Sequence, residues 1–155
     1  MLRASAMLAT AAAALLLAAC GDDSSSTTTT LSREAYIARA DAICATVDRA
    51  IRAIPTPRTT NQLVASADKT LAITEPAVLR LRALDPPADF AADAHTMVDG
   101  IAEQVVLIRR LREAAVANDV RQIEAIGSSG KRASAQLGAD ATKAGFKHCG
   151  IGRTS

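Results

Sequence analysis

Aromatic side chains are almost absent from this 155-residue chain, which has no tryptophan and only Tyr36, Phe90 and Phe146. With Ala, Leu, Ile and Val dominant in their place, a core must be built from aliphatic groups, and these favour helices over a β-sandwich. An excess of charge is missing too. The formal net charge is +2, and acids and bases alternate along the chain, so no basic footprint for nucleic acid is visible. No internal repeat suggests a solenoid. Catalytic signatures are equally scarce: no Ser sits in a Gly-flanked elbow, no phosphate loop or paired-Cys metal motif occurs, and His148-Cys149 reverses the order of a haem attachment.

Four amphipathic stretches are present. The first is predicted to start at Ser32 as N-cap, with Leu31 and Tyr36 forming a hydrophobic staple, and to carry Tyr36, Ala40, Ile43, Val47, Ile51 and Ile54 on one face before Pro55 and Pro57 end it. The second, over residues 61–84, aligns Val64, Ala67, Leu71, Val78 and Leu81, and Pro76 predicts a kink or break within it. Asp85-Pro86-Pro87 reads as a stop followed by a new start. From there Phe90, Met97, Ile101, Val105 and Ile108 make the longest apolar stripe, with Ile101 and Val105 as expected core positions. Asn118-Asp119 caps the fourth stretch, in which Val120, Ile123, Ile126, Ala133, Leu137 and Ala141 face inward and Gly145 fits a helix end. Gly127 and Gly130 weaken its middle by about 1 kcal/mol each relative to Ala. Short connections between such segments predict an all-α, antiparallel up-and-down four-helix bundle.

Ahead of the bundle, Arg3 precedes an uncharged apolar run at residues 6–19, too short to span a bilayer, which needs roughly 17 to 25 residues. Leu17-Ala18-Ala19-Cys20 at its end resembles the lipobox of bacterial lipoproteins. That resemblance implies removal of residues 1–19, a thioether-linked diacylglycerol on Cys20 and often a third acyl chain on the new amino group. Two chains suffice for stable anchoring at about 0.8 kcal/mol per CH₂, where one is marginal. Residues 20–31 are polar and small and are expected to act as a flexible tether of about 20 Å, with glycosylation of its Ser/Thr run as the minor alternative. Residues 32–150 form the bundle, and residues 151–155 a tail.

With Cys20 carrying lipid, Cys44 and Cys149 remain as two thiols in an oxidising compartment and are expected to form a disulfide. The geometry is demanding. Cys44 lies about 18 Å up the first helix, whereas a straight fourth helix of about 40 Å would overshoot the bottom of the bundle. The fourth helix is therefore expected to break at residues 127–130 or end near Gly138, with the tail folding back so that Phe146 packs over the first helix.

Tyr36-Ile37-Ala38-Arg39-Ala40-Asp41-Ala42-Ile43-Cys44 after a Ser/Thr linker, Leu81-Arg82-Ala83-Leu84-Asp85-Pro86-Pro87 in the middle, and Gly145-Phe146-Lys147-His148-Cys149-Gly150 at the end resemble the small lipoproteins of Actinobacteria. Over nearly the whole mature chain, this resemblance implies the helical topology, export and the Cys pair. No activity is assigned to that family.

Among candidate sites, His95 and Asp99 are one helical turn apart with Asp93 near, the edge of a metal site if further ligands arrive. The only other histidine is His148, beside a half-cystine, so a solvated ion pair is expected and no metal or other cofactor. Asp85, Asp89 and Asp93 at the start of the third helix and Arg109, Arg110 and Arg112 at its end complement the helix dipole, with contact of the Arg group to anionic lipid as the alternative. The expectation is a monomeric, non-catalytic binding or interaction module held through Cys20 at the outer face of the cytoplasmic membrane, with an envelope protein or the cell wall as partner. The alternative is a carrier of a lipid or small apolar ligand between the helices, favoured if an apolar cavity is present.

Overall fold

The computed structural model describes residues 31–150. Residues 1–30 and 151–155 lie outside the described residues; they hold the expected export signal, Cys20, the expected tail and all of the expected tether except Leu31, which packs against the core. Four helices follow one another: α1 (Arg33–Arg52), α2 (Thr60–Arg82), α3 (Ala91–Val116) and α4 (Val120–Ala144), with no strand among the described residues. The helices that pack together are α1 with α2, α2 with α3, and α3 with α4. This is the up-and-down order, but α1 and α4 do not meet backbone to backbone.

Helix starts follow local capping chemistry. Ala35 N–H donates to Ser32 Oγ at 3.2 Å, Gln62 N–H to Thr59 Oγ1 at 3.2 Å, and Gln122 N–H to Asp119 Oδ1 at 3.0 Å. Each contact satisfies a donor that the first turn leaves without an intrahelical partner. At the far end of α4, Gly145 adopts φ 96°. Its N–H reaches Thr142 O, and Phe146 N–H reaches Ala141 O, the paired bonds of a Schellman ending.

Two expectations about the helices are corrected, and of the kink or break expected at Pro76 the break does not occur: α2 is continuous around it. The proline removes one backbone donor, while buried Thr74, Ala77 and Val78 on the packed face hold the turn in place. The third helix starts at Ala91 rather than at Pro86. Pro87 keeps the residue before it out of the helical region, so residues 85–87 are not helical, and Phe90 N–H closes a turn onto Pro87 O. Nor does α4 break at Gly127 and Gly130, where an added Cβ would meet nothing. Both glycines face open space, and their propensity cost weakens the helix without ending it.

The surplus length of α4 is taken up at its other end. At 1.5 Å per residue, the 26 residues of α3 and 25 of α4 outrun the 20 of α1 by roughly 8 to 9 Å, and the tip of their hairpin carries Val116 and Val120 exposed. The bottom of α4 is thereby level with the start of α1, where the Arg33 guanidinium donates to Ala144 O at 3.1 Å. The few aromatic residues all gather at this end. Tyr36, Phe90 and Phe146 are buried, with ring centroids 5.8 to 6.4 Å apart, and Arg33 lies over Phe90 at 4.5 Å. Phe146 therefore packs on the first helix as expected. Burial pushes the Tyr36 hydroxyl above its ordinary pKa. Around this cluster close Ala40, Cys44, Leu81, Ala94, Met97, Val98, Ala141, Ala144 and Cys149. Val105 is buried farther along α3, and Ile101, half-buried, packs against the core.

Candidate interhelical groove

After Gly145 the chain turns back and climbs between α1 and α4. Cys149 reaches Cys44 in a disulfide with Cα atoms 5.1 Å apart. Beneath that bond, the carboxylate of Asp41, itself buried at 7 % exposure, collects three consecutive backbone donors. Lys147 N–H lies 2.9 Å from Oδ2, His148 N–H 2.9 Å from Oδ1, and Cys149 N–H 3.2 Å from Oδ1. Successive N–H groups in a turn form a concavity that favours an anion, and here the anion comes from the protein's own first helix. On the opposite side Gly150, at φ 69°, lies so close to α4 that a Cβ there would stand 2.9 Å from Leu137 O and from Ala141 Cβ. Residues 146–150 are thus a wedge, latched to α1 by Asp41 and Cys44 and seated on α4 by the absence of a side chain at Gly150.

The wedge fills only the lower part of the gap between α1 and α4. Above it the gap is a groove of about 890 Å³. Ile43, Val47 and Ile51 of α1 form one wall, Ala77 and Leu81 of α2 with Ile101 and Ile108 of α3 the floor, and Leu137 of α4 the other wall. Several of the large aliphatic positions in the sequence stripes are therefore half-buried rather than closed in: they face a partner helix that stands one tail-width away. Polar groups are few. Asp48 and Arg52 form an i, i+4 ion pair with each other, and Thr74, Gln104, Ser134 and His148 complete the lining. A second hollow, of about 630 Å³ near the α1–α2 turn, has Ile54 as its one branched aliphatic side chain, beside Pro55, Pro57 and polar residues that include Arg58, Gln62 and Lys69.

The other residues singled out from the sequence are placed elsewhere. Asp99 pairs with Arg82 at 3.6 Å on the exposed α2–α3 face, and among the described residues no three His, Cys, Asp or Glu side chains gather at metal-holding distance. Arg109 donates to Glu75 at 2.8 and 3.0 Å and Arg112 pairs with Asp68. These arginines tie α2 to α3 and do not serve the end of α3, whose last turn holds no basic residue. Asp85 and Asp89 precede α3, leaving Asp93 as the acid in its first turn. Asp41, Gln104 and Ser134 escaped the sequence reading. For Asp41 a signal existed: a carboxylate three residues before a half-cystine, on the same helical face. Comparison with family models, with curated proteins and with solved structures finds no match to this chain.

Proposed function

We propose that this chain is an exported lipoprotein, anchored through Cys20 at the outer face of the cytoplasmic membrane, whose helical domain is a non-catalytic binding module that holds an apolar ligand in the groove between α1 and α4. The observation that carries the binding reading is the groove itself. At about 890 Å³ it has the size of a small-molecule site, roughly 300 to 1,000 Å³, and its walls are branched aliphatic side chains that water solvates poorly. This is the carrier form of the binding reading. No described helix is long and apolar enough to cross a membrane, so under this proposal membrane attachment rests on Cys20.

Two experiments test the two halves. Cys20→Ala is expected to abolish incorporation of labelled fatty acid, because only a thiol forms the thioether to diacylglycerol. Undiminished labelling of the variant would end the lipoprotein reading. For the groove, the exported protein in its membrane is irradiated with a diazirine-bearing hydrocarbon and the adducts are mapped by peptide mass spectrometry. Adducts are expected to concentrate on the segments 43–51 and 101–108, and Val47→Trp, which fills the α1 wall, is expected to lower them about tenfold, the factor that corresponds to roughly 1.4 kcal/mol of lost affinity. Adducts spread evenly over the outward faces of the helices would remove the groove as a site.

A further inference from the structure

The groove's few polar groups narrow the ligand class, an argument that rests on the reading just given. α3 faces α4 at Gly100 and Leu137, where a Cβ at Gly100 would come 2.7 Å from Leu137 Cδ1. Four residues on along α3 stands Gln104, and three residues back along the antiparallel α4 stands Ser134. The two therefore belong to the same turn of the α3–α4 seam, facing the aliphatic wall of α1. Both are half-buried and line the groove. Neither side chain hydrogen-bonds another described residue, in contrast to neighbours such as Thr96, Arg109, Ser129 and Gln136.

The acidic and basic residues of the lining are arranged differently. The Arg52 guanidinium is already held by the Asp48 carboxylate, so the pair presents no net charge. His148 is exposed at the lower edge of the groove. A ligand with a permanently charged head would find no opposite charge free to receive it and would lose solvation on entry. A hydroxyl, ester or amide group would find in Gln104 both a donor and an acceptor, and in Ser134 the same. We infer that the groove selects an uncharged amphiphile, a single apolar chain ending in a neutral hydrogen-bonding head, with Ile43, Val47, Ile51, Ile101 and Ile108 covering the chain and Gln104 and Ser134 holding the head.

The test uses the exported protein in its membrane and the same hydrocarbon photolabel, now challenged with three competitors of equal chain length: a long-chain alcohol, an alkyl sulfate and an alkyltrimethylammonium salt. The alcohol is expected to displace the label at about tenfold lower concentration than either ion, as two net hydrogen bonds of about 1 kcal/mol each would more than supply. In the double variant Gln104→Leu, Ser134→Ala that advantage is expected to vanish while hydrocarbon labelling of the groove persists. A thermal melt of the variant checks that it is folded, and the competitor ranking on the unaltered protein stands whether or not it is. Equal potency of all three competitors overturns the head-group inference and leaves the groove reading intact, and so does a preference for the sulfate, which would mark a basic lining residue, Arg52 or His148, as the receiving group. Absence of any groove adduct with the hydrocarbon overturns the reading beneath it.

Discussion

Cys149→Ser is expected to lower the unfolding free energy of the disulfide-bonded protein by about 3 to 5 kcal/mol, and Cys44→Ser by the same amount. The bond joins residues 105 apart in sequence, and on the chain-entropy account a closed loop of about 100 residues constrains the unfolded chain by roughly 4.7 kcal/mol, with measured values often lower. Domains of this size have about 5 to 15 kcal/mol in total, so the loss leaves a marginal fold. The arrangement concentrates the effect. Residues 146–150 join α1 to α4, which do not pack on each other directly, and Phe146, one of three aromatic core residues, belongs to that segment. Denaturant titration with and without a strong reductant measures the difference. Coincident curves for oxidised and reduced protein would show that the bond constrains little.

Asp41→Ala is expected to cost about 2 to 4 kcal/mol, because it strips the acceptor from three backbone N–H groups, of which that of Cys149 lies in a fully buried residue, and hydrogen bonds to an ionised partner contribute roughly 1.5 to 3 kcal/mol each without being additive. Asp41→Asn keeps one acceptor oxygen but turns an amide NH₂ toward Lys147 or His148, and its expected cost is about half as large. Since Asp41 and Cys149 restrain the same five residues, the two losses do not add. In a Cys149→Ser background the tail is already loosened, and Asp41→Ala is expected to cost about 1 kcal/mol less than in the native protein. A double-mutant cycle by equilibrium unfolding measures that coupling. Strict additivity would mean that the carboxylate and the disulfide stabilise separate parts of the domain.

The unequal visibility of these features in the amino-acid sequence has a physical cause. Helix identity is local: the 3-and-4 spacing of Tyr36, Ala40, Ile43 and Val47, the caps at Ser32 and Asp119 and the glycine at position 145 act within one or two turns, and α1 and α4 formed where those signals placed them, whereas α3, which has no side-chain cap, starts five residues later than its Asp-Pro-Pro signal. The signals that misled are also local, but weak. Pro76 perturbs α2 by less than the buried residues around it supply, Gly127 and Gly130 cost α4 only about 1 kcal/mol each in a stretch with no buried residue, and neither signal interrupted a helix. Ile101 packs against the core and also lines the groove, a double role that its spacing does not announce, since an apolar side chain has the same periodicity whether it faces a closed core or an open groove.

The sequence by itself determined that this protein is helical, how many helices it has, where most of them start and stop, and which two cysteines would meet. Tertiary structure alone decided how the chain accommodates that meeting. The α3–α4 hairpin extends past α1 at the top, which levels the ends at the bottom, and the tail then climbs between α1 and α4 as a wedge under Asp41. Holding those two helices a chain's width apart leaves the groove above it. No residue pattern encodes that gap, because it depends on the difference in length between helices that are not neighbours in the chain and on where the last five described residues come to rest.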